Sequence, residues 1–496
     1  MQYYSTRGNT VRMSSSEAIV RGLAPDGGLF VPADKITAFD IAKLPNNSYQ
    51  ELANTIFKPF LSDYSDQEIE AAVHNAYNPR AFDHPEITPL HRIDKKKHIL
   101  ELWHGPTYAF KDIALQVLPH LLKTAMKKTG GNDEIVILTA TSGDTGKSAL
   151  EGFRDIPGIK IIVYFPEKGV SKIQKLQMVT QEGSNVSVAA VKGNFDDTQR
   201  GVKDIFNDDI LRARLAARGY RLSSANSINW GRLLPQIVYY FWAYLSLINK
   251  KYINLGDAVN FTVPTGNFGN ILAGYYAKCL GLPVNRLICA SNQNNILTDF
   301  IKTGLYDSNR KLHLTLSPSM DILISSNLER LLFELTKHNA GKIADWMEGL
   351  KSMGYYRVDK PIMDEIQKLF YAGFANDINT VTTIKSVFDD YNYLTDTHTA
   401  VGLSVLNNYL SNNNDSCHNI ILSTASPYKF ASSVARALQK YSESDSELAL
   451  LNLLASETGT KVPENLADLG TKEIRHKKVV TGDNMRNHLF ETLSIN

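Results

Sequence analysis

Glu101-Leu102-Trp103-His104-Gly105-Pro106-Thr107-Tyr108-Ala109-Phe110-Lys111-Asp112 is the stretch on which the reading of this chain turns. Gly105-Pro106 makes a turn, and a helical pattern opens at Asp112. Lys111 therefore sits at a loop–helix junction with Ala109 and Phe110 beside it. Apolar flanks withdraw an ammonium from water, and a helix N-terminus carries positive partial charge. Both lower the amine's pKa toward the neutral form that imine chemistry requires. A lone lysine at a helix start is ordinarily a solvated one, so the weight falls on its surroundings.

Outward from this loop, short β-rich runs alternate with longer helical stretches. Residues 135–139, 161–165, 186–191, 259–263, 287–290 and 420–423 are near-continuous apolar runs. Such strands, separated by helices, predict an α/β fold with parallel sheets flanked by helices on both faces. The runs group before and after a long apolar helix at 230–250, which suggests two sheets. Before residue 90 the chain reads as mixed and mainly helical, with helix over 48–77 and a turn at Pro25-Asp26-Gly27-Gly28 ahead of Leu29-Phe30-Val31. Ser411 to Ser416 reads as a polar loop. The last thirty residues carry no strong motif.

Composition excludes several classes. The 496 residues hold 53 basic and 51 acidic side chains, a formal net of +2, so nothing favours a nucleic acid or a membrane surface as partner. Cys279, Cys289 and Cys417 form no CxxC pair, so neither a zinc site nor a disulfide framework is expected, and a reducing cytoplasmic setting fits. No metal is assigned. The start of the chain lacks the apolar segment of a signal peptide. The apolar stretch from Leu233 to Ile248 contains Pro235, Gln236 and five aromatic rings. It falls short of the roughly 20 residues of a spanning helix and is expected to be a buried one.

Further strand-to-helix turns carry candidate chemistry. Thr265-Gly266-Asn267-Phe268-Gly269-Asn270 follows the strand at 259–263, where backbone N–H groups and a helix dipole can converge on a phosphate. A plain turn would use the same glycines, and Gly193-Asn194-Phe195-Asp196-Asp197 is a look-alike whose carboxylates would repel phosphate. Thr141-Ser142-Gly143-Asp144-Thr145-Gly146-Lys147-Ser148 also opens a helix. Its Gly146-Lys147-Ser148 ends like a nucleotide-binding P-loop, but the first glycine of that motif would fall at Thr141. Ser224-Ala225-Asn226-Ser227-Ile228-Asn229-Trp230-Gly231-Arg232 clusters Asn, Ser and Arg at a helix entrance, either to hold an anion or as an N-cap. Thr424 puts a hydroxyl at the C-terminal end of a buried strand, where ligands of open α/β sheets gather. His398 could be an active-site or a buried structural histidine.

Nine segments, in order, resemble the threonine synthase family: YYSTRG at 3–8, LAPDGGLFVP at 23–32, HGPTYAFKD at 104–112, ATSGDTG at 140–146, VSKIQKLQM at 170–178, GNFDD at 193–197, NSINWGR at 226–232, GNFGN at 266–270 and STASP at 423–427. The resemblance implies a tryptophan-synthase-β-like (fold type II) enzyme of pyridoxal 5'-phosphate. It implies an N-terminal domain over 1–92, a catalytic core of two α/β subdomains over 93–450 and a C-terminal segment over 451–496. Lys111 would carry the cofactor, Gly266, Asn267, Phe268, Gly269 and Asn270 would hold its phosphate, and Thr424 would meet its pyridine nitrogen. Ser142, Gly143, Asp144 and Thr145 would bind the substrate carboxylate, with Asp144 near the cofactor's 3′-oxygen. Asn226, Ser227, Asn229 and Arg232 would bind the substrate phosphate. The implied reaction turns O-phospho-L-homoserine and water into L-threonine and phosphate, in a monomer or homodimer. Ser426 and Tyr428 stand where the family has His and Ala, and Thr397 where it has Pro, which leaves their roles open. Threonine dehydratase and, from the P-loop-like ending, a nucleotide-binding protein are the alternatives.

Overall fold

The alternating runs resolve into two layered sheets in the computed structural model, which describes residues 1–8, 10–131, 133–141, 143–168, 170–440 and 446–495. The strands are β1 (Tyr3–Ser5), β2 (Phe30–Pro32), β3 (Leu90–Arg92), β4 (Lys97–Glu101), β5 (Glu134–Ala140), β6 (Ile159–Pro166), β7 (Val186–Val191), β8 (Tyr220–Ser223), β9 (Val259–Pro264), β10 (Val284–Ser291), β11 (Leu305–Asp307), β12 (Tyr355–Arg357), β13 (Phe370–Phe374), β14 (His418–Ser423) and β15 (Lys478–Val480). The helices that matter below are α1 (Ser15–Arg21), α2 (Tyr49–Phe57), α3 (Asp66–Ala76), α4 (Lys111–Lys128), α5 (Asp144–Phe153), α6 (Lys172–Val179), α7 (Phe195–Asn207), α8 (Asp209–Ala216), α9 (Trp230–Asn249) and α10 (Gly269–Cys279).

One sheet has five strands in the order β15-β7-β6-β5-β8, all parallel. The other has six in the order β13-β10-β9-β14-β4-β3, parallel except for the antiparallel edge strand β3. The two-sheet expectation therefore holds, with one difference. β4 precedes the first sheet in the chain but pairs with β14 in the second, because the long α4 that follows carries the chain across. The expected boundary at residue 92 falls between β3 and β4, which pair with each other, and the one at 450 falls inside the helix Glu447–Thr458.

Parallel sheets must be covered on both faces, and the side chains show how. Every residue of β9 is buried, as are all but one of β6. α9 is buried over nearly its whole length, from Trp230 to Leu247, and packs against α10, α4 and α2. It is the buried helix the composition suggested, and among the described residues no helix is long and apolar enough to cross a membrane. Pro235 lies inside it and lacks the N–H that would reach the Gly231 carbonyl, and at the next position Gln236 Nε2 donates to the Arg232 carbonyl at 2.7 Å.

The N-terminal unit braces these helices. Capping boxes at Ser14/Glu17 and Ser65/Glu68 start α1 and α3, and Tyr77 donates its hydroxyl to the Ile113 carbonyl of α4 at 2.9 Å. The C-terminal segment, unreadable in the sequence, closes the first sheet. β15 pairs with β7, and the helix Met485–Leu493 buries Met485, Leu489 and Leu493 in the same cluster as Ile162 and Tyr164. Ser411 and Asn412, expected in a loop, instead end the helix Thr397–Asn412.

α4 and α5 pack closely because position 152 is glycine: a Cβ there would lie 2.0 Å from the Leu115 carbonyl oxygen, a backbone atom that cannot turn aside. Gly152→Ala should destabilise the fold by about 1–3 kcal/mol through overpacking, read as a lower denaturant midpoint. An unchanged midpoint would mean that the two helices are not held at this distance.

Candidate active site

The C-terminal ends of five strands deliver five loops into one cleft of about 2060 Å³ between the sheets. In the six-stranded sheet the neighbours β9, β14 and β4 lead into residues 265–270, 424–426 and 102–110. In the five-stranded sheet the neighbours β5 and β8 lead into Thr141 and residues 224–229. Ligands of open α/β sheets gather at such strand ends.

The loop before α4 is stitched to the end of β14. Phe110 N donates to the Thr424 carbonyl at 2.9 Å, Ser426 N to the Tyr108 carbonyl at 3.1 Å, and Ala109 bridges Ala425. Tyr108 holds a left-handed backbone, φ 60°, a conformation that costs free energy and persists where the surroundings enforce it. The C-terminal segment helps enforce it, since Asn465 N donates to the Tyr108 hydroxyl at 3.1 Å. Asp112 accepts the Thr107 N–H at 2.8 Å and its hydroxyl at 2.7 Å, closing the loop over the helix start.

These contacts put Lys111 Nζ into the cleft, 5.2 Å from the Phe110 ring centroid and 3.5 Å from Asp144 Oδ2, with 13% of its side chain exposed. Burial lowers its pKa; Asp144 opposes this, while Lys429 and Arg232 add to it. For Asp144, burial pushes the pKa up, but Lys429 and Lys111 outweigh that and hold it well below the usual carboxylate range. Its Oδ1 receives Lys429 Nζ and Gln174 Nε2, both at 2.9 Å, and its Oδ2 receives the Ser319 hydroxyl at 3.0 Å.

At the start of α5, Thr145 lines the cleft, and the Thr141 hydroxyl takes the N–H groups of Gly143 and Gly146 at 3.0 and 2.9 Å. Gly143, whose φ is 143°, is turned against the Gln174 side chain. Ser142 lies outside the described residues. The nucleotide-binding alternative fails on geometry: Lys147 Nζ is held by Glu151 and Gln181, and the Ser148 hydroxyl by Thr107.

The loop between β9 and α10 forms a cradle. Phe268 adopts φ 60° at the N-cap and buries its ring against Phe370, so its contribution to the cleft is backbone. The Gly266 carbonyl is taken by the Ser325 hydroxyl at 2.7 Å, and that of Asn267 by Asn327 Nδ2 at 2.9 Å. Gly269 opens α10. Asn270 Oδ1 accepts the hydroxyls of Tyr239 and Tyr240 at 2.6 and 3.1 Å, which fixes the amide. Its Nδ2 is buried in the cleft lining with no hydrogen-bond partner among the described residues. A buried donor left unmade is costly, so this atom points to an acceptor from outside the chain. By contrast, the look-alike Asn194 caps α7 by accepting from Asp197 N.

Arg232 is 3% exposed and lines the cleft. One nitrogen donates to the Ala225 carbonyl, and among the described residues Nε has no partner and no carboxylate lies within ion-pair distance. Burial lowers its pKa to about 10, still leaving it charged. Asn226 and Ser227 line the same region. Asn229 departs from the sequence expectation. Its side chain is consumed at the start of α9, accepting from Gly231 N at 2.9 Å and donating to the Ile19 and Ser224 carbonyls, and it stays outside the cleft lining. This is the N-cap reading of that segment.

Thr424 lines the cleft beyond β14. His398 accepts the Ser319 N–H at Nε2, 3.2 Å away, and so carries its proton on Nδ1, 3.0 Å from Asp396. The histidine thus anchors Ser319, whose hydroxyl donates to Asp144. Lys429, Gln174 and Ser319 were not singled out from the sequence, although Gln174 and Lys429 lie in or beside quoted segments.

Family models match three consecutive parts of the chain: "Threonine synthase N terminus" over residues 2–77, "Pyridoxal-phosphate dependent enzyme" over 81–348 and "Threonine synthase, C-terminal" over 399–487. The threonine synthase of Saccharomyces cerevisiae is 38% identical, over 97% of this chain and 95% of that protein. The chain belongs to the threonine synthase family. It is a pyridoxal-phosphate-dependent enzyme with the fold expected of one. A crystal structure of PLP-bound threonine synthase from Brucella melitensis superposes with a TM-score of 0.87 at 37% identity, covering 99% of each chain. The threonine synthase-like 1 protein of Pongo abelii is 40% identical over 89% of this chain, which spans 60% of that longer relative.

The residues present fit pyridoxal phosphate. A mostly buried amine of lowered pKa, a cradle at a helix N-terminus with an unpartnered amide N–H, and a hydroxyl at a strand end all line one cleft of the threonine synthase fold. Replacing Asn270 with Ala should weaken cofactor binding by about 10- to 100-fold, the loss of one hydrogen bond to a charged group. Absorbance titration of the cofactor-free chain checks it, and unchanged affinity would remove Asn270 from the cradle.

Proposed function

We propose that this enzyme converts O-phospho-L-homoserine and water into L-threonine and phosphate, with Lys111 as the cofactor lysine and proton carrier. The observation that carries the reading is Arg232: a buried guanidinium without a carboxylate partner among the described residues, in the same cleft as Lys111 but on a different loop from the Gly266–Asn270 cradle. One anion site serves the cofactor phosphate. A second, built from Arg232 with Asn226 and Ser227, serves a substrate that carries its own phosphate. Threonine dehydratase acts on an unphosphorylated substrate and has no use for it.

In this reading Gly266, Asn267, Phe268, Gly269 and Asn270 hold the cofactor phosphate, and Thr424 faces the pyridine nitrogen. Bound pyridoxal phosphate supplies the electron sink that acidifies carbon next to the amino group. The protein's part is proton movement and orientation. Lys111 Nζ removes a proton from Cα and, once that proton has left the amine, one from Cβ. Arg232 holds the phosphate that leaves Cγ, the proton taken from Cβ passes to Cγ, which becomes the methyl group, and water adds its hydroxyl at Cβ while its second proton goes to the departing phosphate. Lys111 returns the proton to Cα. The substrate carboxylate goes to the start of α5, to Thr145 and, in this assignment, to Ser142 and the adjoining backbone. Asp144 is ionised and would repel that carboxylate, so we place it with Lys111 instead. Gly143 supports the turn.

Two substitutions test the assignment. Lys111→Ala should abolish turnover; turnover with the native pH dependence would overturn it. Arg232→Ala should raise KM for O-phospho-L-homoserine by about 10- to 100-fold, as expected for losing a charge-assisted bond to phosphate, and an unchanged KM would take Arg232 out of the substrate site.

A further inference from the structure

We propose that Lys429 is a positioning residue for this reaction: it neutralises Asp144, so that the carboxylate can hold the Lys111 amine in place without keeping it protonated. The proposal rests on Lys111 being the cofactor lysine, as argued above. Its ground is a buried three-body chain, Lys429–Asp144–Lys111, with Lys429 Nζ 2.9 Å from one carboxylate oxygen and Lys111 Nζ 3.5 Å from the other.

A catalytic lysine beside a carboxylate presents a contradiction. The carboxylate fixes the amine, but an uncompensated negative charge at that distance favours the ammonium, which is neither nucleophile nor base. Lys429 resolves it. Its side chain is fully buried, and Nζ also meets the Thr107 carbonyl at 2.8 Å and Gln177 Oε1 at 3.3 Å, so each of its three donors has a partner. The Thr107 contact ties it to the loop that carries Lys111. With the charge of Asp144 matched, Lys111 faces a nearly neutral pair, and burial decides its protonation, as the direction of its shift shows.

The other charged groups acting at this place are Asp112 on α4, Lys147 on α5 and Arg232 on α9. Asp112 is covered by Thr107 and Lys147 is paired with Glu151. None of them reaches Asp144, whose charged partners are Lys111 and Lys429.

The test reads the Lys111 amine itself in the full-length chain freed of cofactor. Acylation by acetic anhydride is followed across pH, with modification at Lys111 quantified by peptide mass. In the wild type the midpoint should lie below the roughly 10.4 of an ordinary lysine. Lys429→Met should move it up by one pH unit or more, a tenfold or greater loss of Lys111 reactivity at neutral pH. Asp144→Asn, which leaves Lys429 uncompensated, should move it down. The double substitution, which restores charge balance, should bring it back close to wild type. A merely structural role for Lys429 predicts no such opposed shifts and no return. If Lys429→Met does not fold, Asp144→Asn and the double variant decide. Coincident midpoints in the variants that fold would overturn the proposal. Borohydride reduction of the holoenzyme separately tests the underlying reading: a cofactor trapped on another residue defeats that reading, while the acylation profile still reports on Lys429.

Discussion

The structure depends on keeping an amine largely away from water next to a carboxylate. Lys111 and Asp144 meet at 3.5 Å in a mostly buried place, where an unmatched charge is expensive and a matched one is strong. The features around them reduce that cost. Lys429 and Gln174 occupy one oxygen of Asp144, the Ser319 hydroxyl meets the other, and the loop before α4 is held shut by Asp112, Ala425 and Asn465. An amine placed this way has a lowered pKa, so at a given pH more of it is the free base than of a solvated lysine.

Two sheets are needed because two kinds of group must meet. β4, β14 and β9 bring the lysine, the strand-end hydroxyl and the Gly266–Asn270 loop side by side, while β5 and β8 bring the α5 start and the segment around Arg232 from the opposite sheet. The N-terminal unit reaches both. Thr6 and Arg7 bind Glu329 on the helix Leu328–Leu335, and on the same helix Arg330 donates to the carbonyls of Phe30 and Ile228. Asn327, the N-cap of that helix, bonds the Asn267 carbonyl and the Ser227 hydroxyl, so one short segment connects the loop before α10 with the loop before α9. Glu329 and Arg330 are buried charges, and breaking either partnership leaves the other partner stranded.

Much of this was legible in the sequence, for identifiable reasons. Apolar runs such as 161–165 and 287–290 become strands because they are too short for a buried helix, and a parallel sheet covered on both faces hides continuous hydrophobicity. Glycine-rich strand-to-helix turns mark the loops, so Gly266 to Asn270 and Thr141 to Ser148 stand out by local chemistry. Other features depend on contacts between residues far apart in the chain. Lys429 lies 285 positions beyond Asp144, and nothing in Pro427-Tyr428-Lys429-Phe430 says that the lysine turns inward. β15 is three residues long and is recognisable by its pairing with β7 alone. Asn229 was read with its neighbours as an anion ligand, but a side chain that caps its own helix has spent its polar atoms locally.

The most direct measurement is the visible absorption spectrum of the purified holoenzyme before and after O-phospho-L-homoserine is added, with released phosphate and threonine assayed in the same sample. The account predicts a cofactor band that shifts on mixing, with threonine and phosphate formed in equal amounts. A cofactor band indifferent to O-phospho-L-homoserine, with no phosphate released, would contradict it.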